Sequence, residues 1–251
     1  MAYPRQGDTP SRRASDLGRS HVANLDINAS IAAYRTLLTP TARYASFDYC
    51  YNYFQSFHEQ DDAGALADSR HLQASCLQLG FYLASWGMLR GSSVLLQRSM
   101  RNFIPVIQAI SQTPSDIWAI DADNYSHANC QALIDAATRI RDSFPDSASD
   151  ILVTKTLLGV FGCMPAFDQY FKKGFAVSTL STRSLQKIGA FYEQHAAAIE
   201  SNRVPTISFD TGLSTNRRYP RAKVIDMIFF VAGGGSASLT DLDPEPSGRD
   251  A

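Results

Sequence analysis

Long apolar runs are absent from this sequence of 251 residues. Runs such as Met227–Ala232 are only a few residues long, whereas a membrane-spanning helix needs about 20 apolar residues. The first twenty residues are rich in arginine, serine, glycine and proline and lack the apolar stretch of a signal peptide. We therefore expect a soluble, cytoplasmic protein with no membrane partner.

Cysteine is scarce, and the familiar signatures of catalytic and metal sites are missing. The four cysteines include no CxxC pair, and a secreted disulfide framework is usually denser, so we expect buried thiols. The sequence has no GxxxxGK(S/T), HExxH or GxSxG motif, and its five histidines are far apart. We therefore predict neither a bound metal nor a cofactor.

Charge is unevenly distributed, although the formal net charge is only −1. Residues 26–150 contain eight Arg, no Lys and thirteen acidic residues, whereas residues 151–232 contain ten basic and five acidic residues. A basic half of this kind suits a phosphate-bearing partner such as DNA. The alternative is that these charges are scattered over a solvated surface.

Helical periodicity dominates residues 26–232. Apolar residues recur every three or four positions at 42–58, 68–89, 124–141 and 183–200, and only 204–209 has the pattern of a strand. This pattern predicts a single multi-helix domain that is all-α or nearly so. Residues 1–25 and 233–251 are polar, so we expect a flexible N-terminal arm and a disordered acidic tail.

Residues 151–175 form the most unusual stretch of the sequence. Apolar residues lead to Gly159-Val160-Phe161-Gly162, and Pro165 follows shortly afterwards. Since glycine tolerates a positive φ and proline suits the first turn of a helix, we predict two helices joined by a tight glycine hairpin. Backbone amides at such a site bind phosphate oxygens. The predicted DNA-binding residues of this stretch are Lys155, Gly159, Gly162, Lys172 and Lys173.

The run Leu158-Gly159-Val160-Phe161-Gly162, with Ala166 after it, resembles the helix-hairpin-helix element of DNA-repair glycosylases. The segment from Lys155 to Asp168 also resembles divergent members of that superfamily, in which a helix with Lys precedes a Pro-containing loop and an Asp. The resemblance implies an enzyme that flips a base out of DNA and removes it, with Asp168 as the catalytic carboxylate. The alternative is that Asp168 is a first-turn acid that the helix dipole favours. No Lys stands at Cys163 or Met164, near where lyase-active members carry their Schiff-base amine. The resemblance therefore implies a monofunctional N-glycosylase, in either genome repair or defence against phages with modified bases.

Aromatic residues predict two further parts of a site. Tyr49 and Tyr53 would stack on a flipped base, and Asp48, an acid in apolar surroundings, is a second candidate catalytic residue. Core packing is the alternative for the two tyrosines. Trp86 and Arg90, beside glycines at the end of a helix, predict a pocket in which Arg90 binds a phosphate or a carboxylate. The alternative is that Arg90 pairs with an acidic residue of a neighbouring helix.

The densest basic run contains Arg217, Arg218 and Arg221, with Tyr219 among them. Arginines around a tyrosine suit phosphate contacts and base stacking, so these three arginines are predicted to bind DNA. A solvated loop is the alternative. Taken together, these features predict a helical protein that acts on DNA. The alternatives are a non-enzymatic helical protein that binds an acidic partner, or a small-molecule enzyme with its pocket at Trp86 and Arg90. The sequence does not indicate an oligomeric state.

Overall fold

The computed structural model describes residues 25–91 and 93–235, and within them the protein is helical apart from one pair of short strands. This confirms the predicted fold class, a single multi-helix domain that is all-α or nearly so. The predicted arm before Leu25 and the predicted acidic tail from residue 236 onward lie outside the described residues. No helix in the described part of the chain is long and apolar enough to cross a membrane.

Ten α-helices and one antiparallel strand pair make up the described fold. The helices are α1 (Ile27–Arg35), α2 (Ser46–Glu59), α3 (Leu72–Ser85), α4 (Ile104–Ser111), α5 (Ser115–Trp118), α6 (His127–Ser143), α7 (Asp150–Phe161), α8 (Gln169–Phe175), α9 (Thr182–Ser201) and α10 (Arg221–Ala232). Short 3₁₀ segments lie at Arg43–Ala45, Ala63–Ala67, Val94–Gln97, Met100–Phe103 and Ala122–Asn124. Strand β1 (Pro205–Ile207) pairs with β2 (Ser214–Arg218).

Side-chain caps explain where several helices begin. The carboxylate of Asp26 accepts the amide of Ala29 at the start of α1, and the hydroxyl of Ser149 accepts the amide of Leu152 at the start of α7. Each bond satisfies a first-turn amide that has no partner within its own helix. Pro105 lies in the first turn of α4, where its missing amide hydrogen costs no helical bond.

Helix α7 lies at the centre of the core. Every residue from Leu152 to Phe161 is buried, and the helix packs against α2, α3 and α6. Helix α10 is buried from Ala222 to Phe230 and packs against α1, α8 and α9. Contact on all sides explains why both helices are buried all round rather than along one stripe. The four cysteines, Cys50, Cys76, Cys130 and Cys163, are buried as predicted.

The predicted glycine hairpin is wrong. Helix α7 continues through Gly159 to Phe161, and Gly162, with a φ of +69°, ends it in the left-handed conformation that favours glycine. The next helix, α8, begins at Gln169 and not at Pro165. Both glycines are buried, so neither offers its backbone to a DNA phosphate.

Gly159 is required instead by the close approach of α7 to Tyr82. A Cβ atom added at Gly159 would lie 2.3 Å from Cε1 of the Tyr82 ring, so the ring would have to move. We expect Gly159→Ala to lower the free energy of unfolding by about 1–3 kcal/mol, the usual cost of overpacking a core. Urea denaturation measures this loss. Gly64→Ala is the control, because a Cβ there meets no neighbouring atom. Equal stability of the two variants would contradict the close packing.

Candidate active site

A cleft of about 380 Å³ opens where separate parts of the chain meet. Trp86 and Arg90 follow α3, and Lys155 lies on α7. Asp168 precedes α8, while Arg43 and Tyr44 belong to the 3₁₀ segment before α2. The size is within the range of about 300–1,000 Å³ that is usual for small-molecule sites.

Asp168 is held in place by the helix that it begins. Its Oδ1 atom accepts the backbone amides of Tyr170 and Phe171, each at 3.0 Å. This N-cap fixes the carboxylate at the positive end of the α8 dipole. The other oxygen, Oδ2, lies 3.7 Å from Nζ of Lys155, and the Asp168 side chain is only 13% exposed. The carboxylate is therefore recessed, with one oxygen committed to the backbone and the other directed towards an amine.

Lys155 is a buried amine at the same point of the cleft. Its side chain is 8% exposed, and Nζ donates to the carbonyl oxygen of Trp86 at 2.7 Å. Burial lowers the pKa of Lys155, and the carboxylates of Asp168 and Asp226 offset this effect only in part. A lowered pKa increases the fraction of neutral, nucleophilic amine near neutral pH.

A second buried ion pair, between Lys223 and Asp226, lies next to the Trp86 wall of the cleft. Lys223 Nζ lies 2.9 Å from Asp226 Oδ2 and donates to the hydroxyl of Tyr34, while Oδ1 of Asp226 accepts the amide of Ala166. Burial lowers the pKa of Lys223 and raises that of Asp226, and the charge of each partner opposes the shift of the other. Lys223 Nζ also lies 4.2 Å from the ring centroid of Trp86, which fixes that ring as a wall of the cleft.

The remaining walls are aromatic and carry hydrogen-bond donors. The rings of Tyr44 and Trp86 meet edge to face with centroids 5.9 Å apart, and Tyr170 and Phe230 meet at 5.2 Å. The hydroxyl of Tyr44 and the indole nitrogen of Trp86 are buried without a hydrogen-bond partner among the described residues. Such unpartnered polar atoms are rare in folded proteins, and a ligand that supplies acceptor atoms would satisfy them.

Comparisons with protein-family models, curated proteins and solved structures found no match. Four of the residues that the sequence singles out line this cleft. The sequence predicts two of them as a pocket, one as a DNA-binding lysine and one as a catalytic carboxylate. They are Trp86, Arg90, Lys155 and Asp168.

The aromatic residues predicted on α2 do not line the cleft. The hydroxyl of Tyr49 donates to the carbonyl oxygen of Pro40, and that of Tyr53 lies 2.9 Å from the hydroxyl of Ser75. Tyr44, just before α2, lies at the cleft instead. Tyr44 lies in the 3₁₀ segment before the helix, and no pattern in the sequence singles it out.

The predicted DNA-binding arginines are mostly engaged within the protein. Arg217 pairs with Glu59, and Arg221 pairs with Asp121, Asp123 and Glu200. Arg218 is exposed and donates to the carbonyl oxygen of Arg203 at 2.8 Å. On α8, Lys172 is half-buried and Lys173 is exposed. Neither group lines the cleft, whereas Arg43 and Arg90 do so.

Asp48 lies in the interior, away from the cleft lining. Its Oδ2 atom accepts the amide of Ile207 at 3.0 Å, which ties strand β1 to helix α2. Burial raises the pKa of Asp48 to about 6, although the Tyr219 hydroxyl, the Ile207 amide and Lys223 favour the charged form. Its position makes Asp48 a structural contact between the strands and α2 and separates it from the Asp168 carboxylate.

The raised pKa of Asp48 predicts a pH dependence of stability. The folded protein retains a proton that the unfolded chain, with an ordinary pKa of 3.8, has released, so stability falls as the pH rises through about 4 to 6. We expect this fall to be on the order of 3 kcal/mol, since each pKa unit corresponds to about 1.4 kcal/mol. Asp48→Asn keeps an acceptor for the Ile207 amide and should lack this contribution. Urea denaturation of both proteins from pH 4 to pH 7 measures the free energy of unfolding at each pH. Parallel profiles for the two proteins would show that Asp48 does not cause this pH dependence.

Proposed function

We propose that the protein is a DNA N-glycosylase with its active site in this cleft. The observation that carries the proposal is the recessed pair of Asp168 and Lys155, a carboxylate and an amine 3.7 Å apart beside aromatic walls. The glycine hairpin is not formed, but the order of elements around the pair supports the proposal. Lys155 lies on a helix, Pro165 lies in the following loop, and Asp168 begins the next helix.

The walls of the cleft suit a flipped base. Tyr44, Trp86, Tyr170 and Phe230 provide flat apolar surfaces, and a base taken out of the duplex stacks well on such rings. The unpartnered donors of Tyr44 and Trp86 match the ring nitrogens and carbonyl oxygens of a base. These features support a planar, acceptor-bearing ligand.

Lys155 and Asp168 support a mechanism in which the amine is the nucleophile and the carboxylate stabilises charge and accepts a proton. In its neutral form the Lys155 amine attacks C1′ of the sugar, and the bond from C1′ to the base breaks with its electron pair leaving on the base, which then takes up a proton. Asp168 stabilises the positive charge that develops at C1′ and accepts the proton released by the amine. The bond from C1′ to O4′ then breaks, O4′ takes up the proton that Asp168 had accepted, and a protonated imine joins Lys155 to C1′. Because Lys155 lies beside Asp168, we propose this covalent route in place of the monofunctional one that the sequence implies.

Duplex oligonucleotides that each carry one modified or damaged base test this function. Incubation followed by alkali should produce a strand break at the modified position with at least one substrate. Borohydride added during the reaction should reduce the imine and leave a covalent protein–DNA product, which Lys155→Gln should lose. A strand break without this product would assign the attack to water, as in a monofunctional enzyme. Failure to break any substrate would remove the glycosylase proposal, and binding of free nucleosides alone would favour a small-molecule enzyme.

DNA binding should depend on the arginines of the cleft. If Arg43 and Arg90 contact phosphates, replacing either with Gln should weaken binding and reduce the slope of log affinity against log salt by roughly 0.9 for each lost contact. Arg217→Gln removes the same charge from a residue paired with Glu59 and is the matched control. Fluorescence anisotropy of a labelled oligonucleotide at several salt concentrations measures the slopes. A larger effect of Arg217→Gln would move the DNA-binding surface to the basic run.

A further inference from the structure

The chain between α7 and α8 is buried, and two side chains hold it just before it reaches Asp168. The amide of Ala166 donates to Oδ1 of Asp226 at 3.0 Å. The amide of Phe167 donates to the hydroxyl oxygen of Thr154 at 2.9 Å. Each bond satisfies a buried amide that would be costly to leave unpaired. Two consecutive amides are therefore fixed immediately before the carboxylate of the cleft.

Thr154 is a fully buried polar residue on α7, the helix that also carries Lys155. Its hydroxyl donates to the carbonyl oxygen of Asp150 at 2.7 Å and accepts the amide of Phe167. Because both bonds are buried, the hydroxyl cannot turn away without leaving a polar group unpaired. Adjacent positions of α7 thus carry the amine of the cleft and the hydroxyl that holds the chain in front of the carboxylate.

The spacing of the charged pair depends on where the backbone at Asp168 lies. The Lys155 amine has an anchor of its own, since it donates to the carbonyl oxygen of Trp86 at 2.7 Å. Its distance of 3.7 Å from Oδ2 of Asp168 is therefore determined largely by the position of the carboxylate. Thr154 does not line the cleft, so it can act on the pair only through Asp168.

We propose that Thr154 is a positioning residue, whose hydrogen bond to the Phe167 amide sets the distance between the Asp168 carboxylate and the Lys155 amine. The effect on the pair follows from these contacts alone. A role for Thr154 in base removal rests on the proposed function.

Titration of the amine reports its distance from the carboxylate. Burial lowers the pKa of Lys155, Asp168 and Asp226 raise it, and Arg43 and Arg90 lower it. The threonine has no charge of its own. A change in this titration after its substitution must therefore come from a change in the position or burial of the groups around the amine.

Thr154→Val removes the hydroxyl and keeps the shape of the side chain. Competitive labelling with acetic anhydride, followed by mass spectrometry of peptides, measures how fast each lysine reacts at each pH. With the carboxylate displaced, the pKa of Lys155 should fall. Its acetylation at pH 7 should then be about threefold faster than in the parent, since only the neutral amine reacts. Asp168→Asn removes the charge itself and should give a larger increase.

Thr156→Val is the matched control. Thr156 is fully buried on the same helix, and its hydroxyl donates to the carbonyl oxygen of Leu152 within that helix at 2.9 Å. This variant should leave the labelling of Lys155 unchanged, and Thr154→Ser, which keeps the hydroxyl, should restore the parent profile. Lys223 is fully buried, so its slow acetylation shows that the core stays closed.

Two labelling results would overturn the inference. One is an equal profile for Thr154→Val and Thr156→Val. The other is faster labelling of Lys155 and Lys223 together, which would mean that Thr154 stabilises the core in general and does not position Asp168.

Hydrogen exchange in the unsubstituted protein tests the same contact should Thr154→Val fail to fold. The amides of Ala166 and Phe167 should exchange as slowly as those of α7, because their hydrogen bonds open only when the connection leaves the core. Faster exchange of these two amides than of the α7 amides would show that the connection is not held, and would overturn the inference.

Base removal separates this inference from the proposed function. Thr154→Val should slow base removal roughly tenfold to a hundredfold, the usual cost of a misplaced group, although its Lys155 amine is more reactive. Changed labelling of Lys155 with no base removal by the parent would support the positioning role and count against the glycosylase. Base removal at equal rates in the parent and Thr154→Val, with equal labelling, would support the glycosylase and overturn the positioning role.

Discussion

Asp168→Asn is expected to lower the rate of base removal by a factor of roughly 100 to 1,000, the usual effect of removing one electrostatic stabiliser of a transition state. Asn retains the shape of Asp and its ability to cap α8, so the amides of Tyr170 and Phe171 keep their acceptor. The negative charge next to Lys155 is lost, and with it the stabilisation of positive charge at C1′. DNA binding should persist, because a repulsion with phosphate has been removed.

Turnover and thermal unfolding measured on the same variant separate catalysis from capping. Asp26→Asn is the matched control, since Asp26 caps α1 with the same side chain but does not line the cleft. Both variants should keep the stability of the parent to within about 1 kcal/mol, the typical value of a cap. If Asp168→Asn and Asp26→Asn show equal turnover, Asp168 is a capping residue and not the catalytic carboxylate.

Lys223→Met is expected to lower the free energy of unfolding by about 3–5 kcal/mol, because it leaves the buried carboxylate of Asp226 without its counter-charge. Lys223 is fully buried, and the Asp226 side chain is 4% exposed. Water cannot replace the lost partner, so the cost greatly exceeds that of a surface pair. Loss of the cation behind Trp86 should also change the fluorescence of that ring.

Neutralising both partners should recover most of this loss. In Lys223→Met with Asp226→Asn, the Asn oxygen still accepts the amide of Ala166 while no buried charge remains. Arg98→Gln is the control, since its pair with Asp146 is exposed and should be worth at most about 1 kcal/mol. Urea denaturation of the four proteins at pH 7 measures these differences. A double variant no more stable than Lys223→Met would mean that packing, and not charge, explains the loss.

The sequence by itself determined the class of fold, and it pointed to residues that line the candidate cleft. Apolar residues at three- and four-residue spacing can bury one face only as helices, and this confirmed pattern needs no knowledge of distant contacts. Trp86 and Arg90 are indicated by glycines at a helix end, and Asp168 by the resemblance of its segment to glycosylases. Each of these signals lies within a few residues of the side chain that it concerns.

The conformation around Gly159 was decided by tertiary structure. Gly-Val-Phe-Gly is equally compatible with a hairpin and with a helix that ends at its second glycine. The choice depends on Tyr82, far away in the chain, whose ring occupies the space that a side chain at position 159 would need. A glycine that allows close packing and one that allows a turn look the same in a sequence.

The chemistry of the cleft was likewise decided by burial and by contacts between distant residues. Lys155 resembles any surface lysine in the sequence, and only its burial in the fold lowers its pKa, against the opposing effect of the nearby Asp168 carboxylate. Arg217 and Arg221 form the densest basic run, yet carboxylates from distant helices and loops neutralise them, while the isolated Arg43 and Arg90 reach the cleft. Charge acts through distance and solvent exposure, and both are properties of the folded chain.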